Sequence, residues 1–70
     1  MSLKKRSFSL SGHRTSVALE TEFWEIVEIE AGRAGQSLAA YVSAVDKTRG
    51  TRPLASALRL AALAAAKSRT

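Results

Sequence analysis

The stretch GHRTSVALE, residues 12–20, limits the possible folds more than any other feature of the chain. From His13 to Leu19 it alternates as a strand does, with Thr15, Val17 and Leu19 on one side and Arg14, Ser16 and Ala18 on the other. Nearly everything after Leu19 has helical periodicity instead. A lone strand leaves its backbone N–H and C=O groups without partners, and burying them in that state costs free energy. The strand must therefore pair within its own chain or with another molecule.

Both sources are open in the sequence. Lys4 to Ser11, KKRSFSLS, is a basic cluster followed by a short alternation in which Phe8 and Leu10 are apolar and the serines polar. It reads as a basic arm over residues 1–11 or as an extra strand, interrupted at Gly12. A local hairpin through Gly12-His13 would pair the strand within its own chain, although Ser-Gly-His-Arg is a weak hairpin signal. The other source is a second protein chain. With 70 residues the molecule is one small domain, a size that commonly needs a staple or a partner. It has no cysteine and a single histidine, His13, so neither a disulfide nor a structural zinc is expected, and no other cofactor is implied.

Charge is partitioned along the chain. Up to Leu19 there are four basic residues, Lys4, Lys5, Arg6 and Arg14, and no acid. Glu20 to Glu30 holds five glutamates and no base, and beyond it seven basic residues stand against Asp46 alone. The net charge of +5 favours a polyanionic partner, and its distribution predicts a basic end near the strand and an acidic outer face elsewhere. No apolar run is long enough to span a bilayer, and a signal peptide is not expected because residues 1–16 lack an apolar segment. The basic, Ser-rich start has the character of a transit peptide on paper, but the strand pattern explains the same residues. A cytoplasmic location is expected.

The first helix should begin after Leu19, with Glu20, Thr21 and Glu22 supplying a cap and negative charge at the positive end of the helix dipole. Phe23, Ile26, Val27, Ala31 and Ala34 define its buried stripe, with Trp24 on one flank at a dimer edge and Ile29 beyond the other, needing a cover of its own. Glu30 projects from the apolar stripe, so it is expected at an edge or paired with an arginine. Gly35 should end the helix, and Ser37 should cap a second one on which Leu38, Tyr41, Val42 and Val45 recur at helical spacing. Gly50 is a stop, and Pro53 suits the first turn of a third helix. That helix places Leu54, Leu58, Ala61 and Ala65 on one face and Leu60 and Leu63 elsewhere, with Lys67 and Arg69 at its negative end.

The order strand, helix, Gly-x-Ser, helix resembles the ribbon-helix-helix family of bacterial DNA-binding proteins. The matching residues are the strand RTSVAL, the helix TEFWEIVEIEAGRAG, the link GQS and the helix LAAYVSAV, from Arg14 to about Val45. The opening GHRTSVALE…FW and the later LASALR are similar to one branch of that family. The resemblance implies a mainly α fold, with one N-terminal strand forming an antiparallel ribbon between subunits, two core helices, a third C-terminal helix, and an intertwined homodimer. The ribbon-helix-helix core would span residues 12–50 and the C-terminal helix 51–70. Val17, Leu19, Phe23, Val27, Tyr41 and Val42 would form the dimer core.

The resemblance also assigns candidate contacts to double-stranded DNA. Arg14, Ser16 and Ala18, on the ribbon's other face, would read bases in the major groove, where Arg14 can hydrogen-bond guanine and Ala18 can at best touch a thymine methyl. Ser37 and the free backbone N–H groups of Ser37, Leu38 and Ala39 would hold phosphates. Lys4, Lys5, Arg6 and His13 are further phosphate candidates, and Lys47, Arg49 and Arg52 are either solvated loop charges or a second phosphate patch. The implied function is that of a sequence-specific homodimeric repressor or autoregulator. The alternative is a protein-interaction or dimerisation module with little specific DNA binding, motivated by Ala18 and the alanine-rich third helix. A membrane-surface helix is disfavoured because the third helix lacks aromatic anchors and a strongly basic face. No nucleophile–base pair, catalytic carboxylate pair or Gly-rich phosphate loop is present, so an enzyme is not expected.

Overall fold

The computed structural model describes residues 2–68, and Arg69, expected at the end of the third helix, lies outside them. The chain runs β1 (Leu3–Leu10), β2 (His13–Glu20), α1 (Thr21–Arg33), α2 (Leu38–Thr48) and α3 (Leu54–Ser68). β1 and β2 form a two-stranded antiparallel sheet in full register, from Leu3 opposite Glu20 to Leu10 opposite His13. The strand GHRTSVALE is therefore paired by its own chain. The local hairpin takes the place of the single N-terminal strand that the resemblance implies, and the segment read as an arm or an extra strand is β1. Ser11 and Gly12 both have positive φ, 51° and 81°, as a two-residue type I′ turn requires. Ser at the first of these positions is less suited to left-handed backbone than Asn, which is why the turn is inconspicuous in the sequence.

One face of the hairpin covers the helices. Phe8, Leu10, Val17 and Leu19 are buried in one cluster with Trp24 and Val27 of α1, Val42 of α2, and Leu54, Leu58 and Ala62 of α3. Residues expected in a dimer core are thus buried within a single chain, with Phe23 and Tyr41 half-buried against the cluster. Trp24 differs most from expectation. It is 1% exposed, tilted against Phe8 with ring centroids 6.1 Å apart, and its indole N–H donates to the Lys4 carbonyl at 2.7 Å. An indole that is buried needs such an acceptor. The centre of the α1 stripe is Trp24, Val27 and Ala31, while Phe23 and Ile26 are half-buried and Ala34 is exposed. β1 lies over the Trp24 flank and rotates the buried face toward it.

The helix ends follow local chemistry. Gly35, at φ 69°, closes α1 with paired bonds from Gln36 N–H to Ala31 C=O (2.9 Å) and Gly35 N–H to Gly32 C=O (3.1 Å), a Schellman arrangement. Ser37 caps α2, its Oγ accepting from Ala40 N–H at 3.1 Å. Pro53 precedes α3, and its carbonyl accepts from Ala57 N–H. At α1 the expected side-chain cap is missing. Glu20 occupies the N-cap position without a capping bond, and accepts instead from Arg59 Nε of α3 at 3.0 Å. Glu30 is paired as expected, with Arg33 at 3.8 Å. On α3 the buried residues are Leu54, Ala57, Leu58 and Ala62; Leu60 and Leu63 remain exposed, and the helix packs against α1, α2 and β2. Ile29, expected to find a cover, is 49% exposed.

Candidate nucleic-acid interface

Period-two alternation sends half of each strand away from the helices. On β2 these residues are Arg14, Ser16 and Ala18; on β1 they are Lys5, Ser7 and Ser9. The register sets them across from each other as Ser9 and Arg14, Ser7 and Ser16, and Lys5 and Ala18. The central rung is a hydrogen-bonded hydroxyl pair, Ser7 Oγ to Ser16 Oγ at 2.9 Å. All of these side chains are exposed except Ala18, which is half-buried. Ser7 and Ser9 share the outer face with Lys5, a placement that the alternation in KKRSFSLS allows once that segment is a strand.

The cations among the described residues divide by whether a carboxylate has already engaged them. Arg6, on the inner face of β1, is ion-paired with Glu28 of α1 and lies over the Trp24 ring at 4.9 Å. Arg33 pairs with Glu30, Arg49 with Asp46 at 2.7 Å, and Arg59 with Glu20. Arg59 also lies over Phe23, and its hydrogen bond holds the Glu20 carboxyl below its usual pKa. Among the described residues, Lys4, Lys5, Arg14, Lys47 and Arg52 make no ion pair. Of the phosphate candidates, Arg6 is thus held against α1 and Lys5 shares a face with Arg14. Lys4 is exposed at the start of β1 and His13 at the turn.

The N-terminus of α2 is a second set of donors. The Ala40 N–H is taken up by the Ser37 cap and the Tyr41 N–H by the Ser37 carbonyl. The N–H groups of Leu38 and Ala39 make no hydrogen bond among the described residues, as the first turn of a helix leaves them. Ser37, Ala39 and the α2 start are exposed, with Leu38 half-buried. Elsewhere the surface carries a shallow apolar patch on α3 lined by Leu60, Leu63, Ala64, Lys67 and Ser68. No helix among the described residues is long and apolar enough to cross a membrane.

Neither the curated proteins nor the solved structures contain a match to this chain. A family model does match. The model of the ribbon-helix-helix domain aligns with residues 3–66, taking in β1 and nearly all of α3 as well as the β2–α1–α2 segment. With a two-stranded antiparallel sheet followed by helices over that same span, the chain belongs to the ribbon-helix-helix domain family.

Proposed function

We propose that the protein is a sequence-specific DNA-binding regulator, acting in the cytoplasm as a homodimer to repress transcription, its own operon included. Ribbon-helix-helix domains are typically DNA-binding regulators that act as dimers. The observation that carries the reading is Arg14. It is exposed on the outer face of a two-stranded ribbon, beside Ser16, with no carboxylate among the described residues engaging its guanidinium.

A ribbon of this kind fits the major groove, where each base pair presents a distinguishable pattern of donors and acceptors. Arg14 donates in bidentate fashion to guanine, and Ser16 donates or accepts. The N–H groups of Leu38 and Ala39, with the Ser37 hydroxyl, hold a backbone phosphate at the positive end of the α2 dipole. Phosphate contacts set the register of the protein on the duplex; base contacts supply the sequence preference. The glutamates of α1 favour approach from the hairpin side.

Selection of genomic DNA fragments on the purified protein at near-physiological salt tests the reading. Enrichment of a shared inverted or direct repeat is expected. Arg14→Ala should lose about 1–3 kcal/mol of discrimination at one base position while the fold is retained. Recovery without any shared sequence would leave the fold as a protein-interaction module, the reading that the half-buried Ala18 and the exposed Leu60 and Leu63 of α3 favour.

A further inference from the structure

The apolar face of β2 is spent within its own chain, where Val17 and Leu19 are buried with Val27 and Val42. A homodimer of this chain therefore needs another apolar surface. Among the described residues the large exposed apolar side chains are Leu3, Ile29, Leu60 and Leu63, and only the last two share a helix. On α3, Ser56, Leu60, Leu63 and Lys67 follow one another at steps of four, three and four residues. That is the spacing of a coiled-coil seam, whose knobs recur about every 3.5 residues. Leu60, Leu63 and Lys67 are exposed and Ser56 is half-buried, on the side of α3 opposite the buried Leu54, Leu58 and Ala62. Ala64 flanks the seam and is small enough to let a second helix approach closely.

Resting on the homodimer of the reading above, we infer that this seam docks antiparallel on the same seam of a second copy. Leu60 then meets Leu63 of the partner subunit, Leu63 meets Leu60 of the partner subunit, and Ser56 lies level with Lys67 of the partner subunit. Charge selects this direction. A parallel pair would set the two Lys67 ammonium groups at one level, where like charges repel. The antiparallel pair moves them to opposite ends and sets the two helix dipoles against each other.

The same direction brings opposite charges together. Arg59 donates to Glu20 at 3.0 Å and lies over the Phe23 ring, which fixes the start of α1 beside this part of α3. Glu22 belongs to that first turn; it is exposed and makes no ion pair among the described residues. Lys67 of the partner subunit arrives at the level of Ser56, one helical turn from Arg59, and its ammonium pairs with Glu22. A two-fold axis repeats that pair at the other end of the seam, so the contact is self-complementary. Because α3 turns its other side to the core that the hairpin closes, the contact leaves Arg14 and Ser16 open to a duplex.

The test is sedimentation equilibrium of the full chain over a concentration series, with circular dichroism confirming that each variant folds. The variants are Leu60→Gln, Leu63→Gln, Glu22→Lys, Lys67→Glu, and the last two combined. The wild-type protein is expected to dimerise, and each leucine variant to raise the dimer dissociation constant by at least about tenfold. Glu22→Lys and Lys67→Glu should each weaken the dimer, and their combination should restore it. A dimer that the leucine variants leave intact overturns the α3 contact while the homodimer stands. A wild-type chain that stays monomeric overturns both. Failure of the combined charge exchange to restore what each single exchange weakens overturns the antiparallel direction. The DNA selection above reads the regulator separately, since neither leucine lies on the hairpin.

Discussion

The two faces of the hairpin share one backbone and one register, yet they are built to opposite requirements. The inner face carries Phe8, Leu10, Val17 and Leu19 into the core, and its one guanidinium, Arg6, is both ion-paired and stacked on Trp24. The outer face carries Lys5, Ser7, Ser9, Arg14 and Ser16, with no ion pair among the described residues. The inner face secures stability through apolar burial; the outer leaves hydrogen-bonding capacity unspent, as the proposed DNA contact requires. Lys5 and Arg6 make the contrast at adjacent positions, since a one-residue step reverses the direction of the side chain.

The comparison breaks most severely at Trp24. Trp24→Ala removes the ring that contacts Phe8 and frees the Lys4 carbonyl, so a loss of about 3–5 kcal/mol is expected in urea denaturation. Retention of most of the stability would mean that the hairpin does not depend on α1 for its packing. Next comes the turn. Gly12 has positive φ with open space around it, so Gly12→Val strains the backbone without a clash and should cost about 1–3 kcal/mol. Ser16→Ala belongs to the other face and should change stability by no more than about 0.5 kcal/mol while shifting the selected DNA sequence. A larger loss would make the Ser7–Ser16 bond structural.

The smallest effect concerns the end of β2. Arg59 lowers the Glu20 pKa, so the folded state gains stability above the unfolded value of about 4.5 and loses it as pH falls through the lowered value. Glu20→Gln should therefore flatten the acid limb of a stability–pH profile and leave the DNA-selected sequence unchanged. An unaltered acid limb would remove the Glu20–Arg59 contact from the account of how α3 is held against the hairpin.

Much of the architecture is legible in the chain because it depends on local chemistry. Period-two alternation in GHRTSVALE, the Gly35 and Ser37 signals between α1 and α2, and Pro53 ahead of α3 all act within a few residues. Arg14 and Ser16 are legible for the same reason, since a strand's two faces follow from spacing alone. The place of Ser7 and Ser9 beside Ser16 and Arg14 is not legible in the same way, because it depends on which strand lies beside them. Helical spacing alone sets Trp24 on a flank of the stripe, and β1, through Phe8 and the Lys4 carbonyl, makes that flank the interior.

By itself, then, the sequence determined that β2 is a strand followed by three helices, where the helices stop, and that one side of β2 is apolar and the other polar. Only the tertiary structure decided that β2 pairs with β1, which of the clustered cations Glu28 captures, and that Ile29 stays uncovered. The physical reason is the range of the forces involved. Alternation and capping are set by neighbours along the chain. A marginal Ser-Gly turn closes only because burying Phe8 and Leu10 against the helices outweighs its backbone strain, and no short stretch of sequence contains that balance.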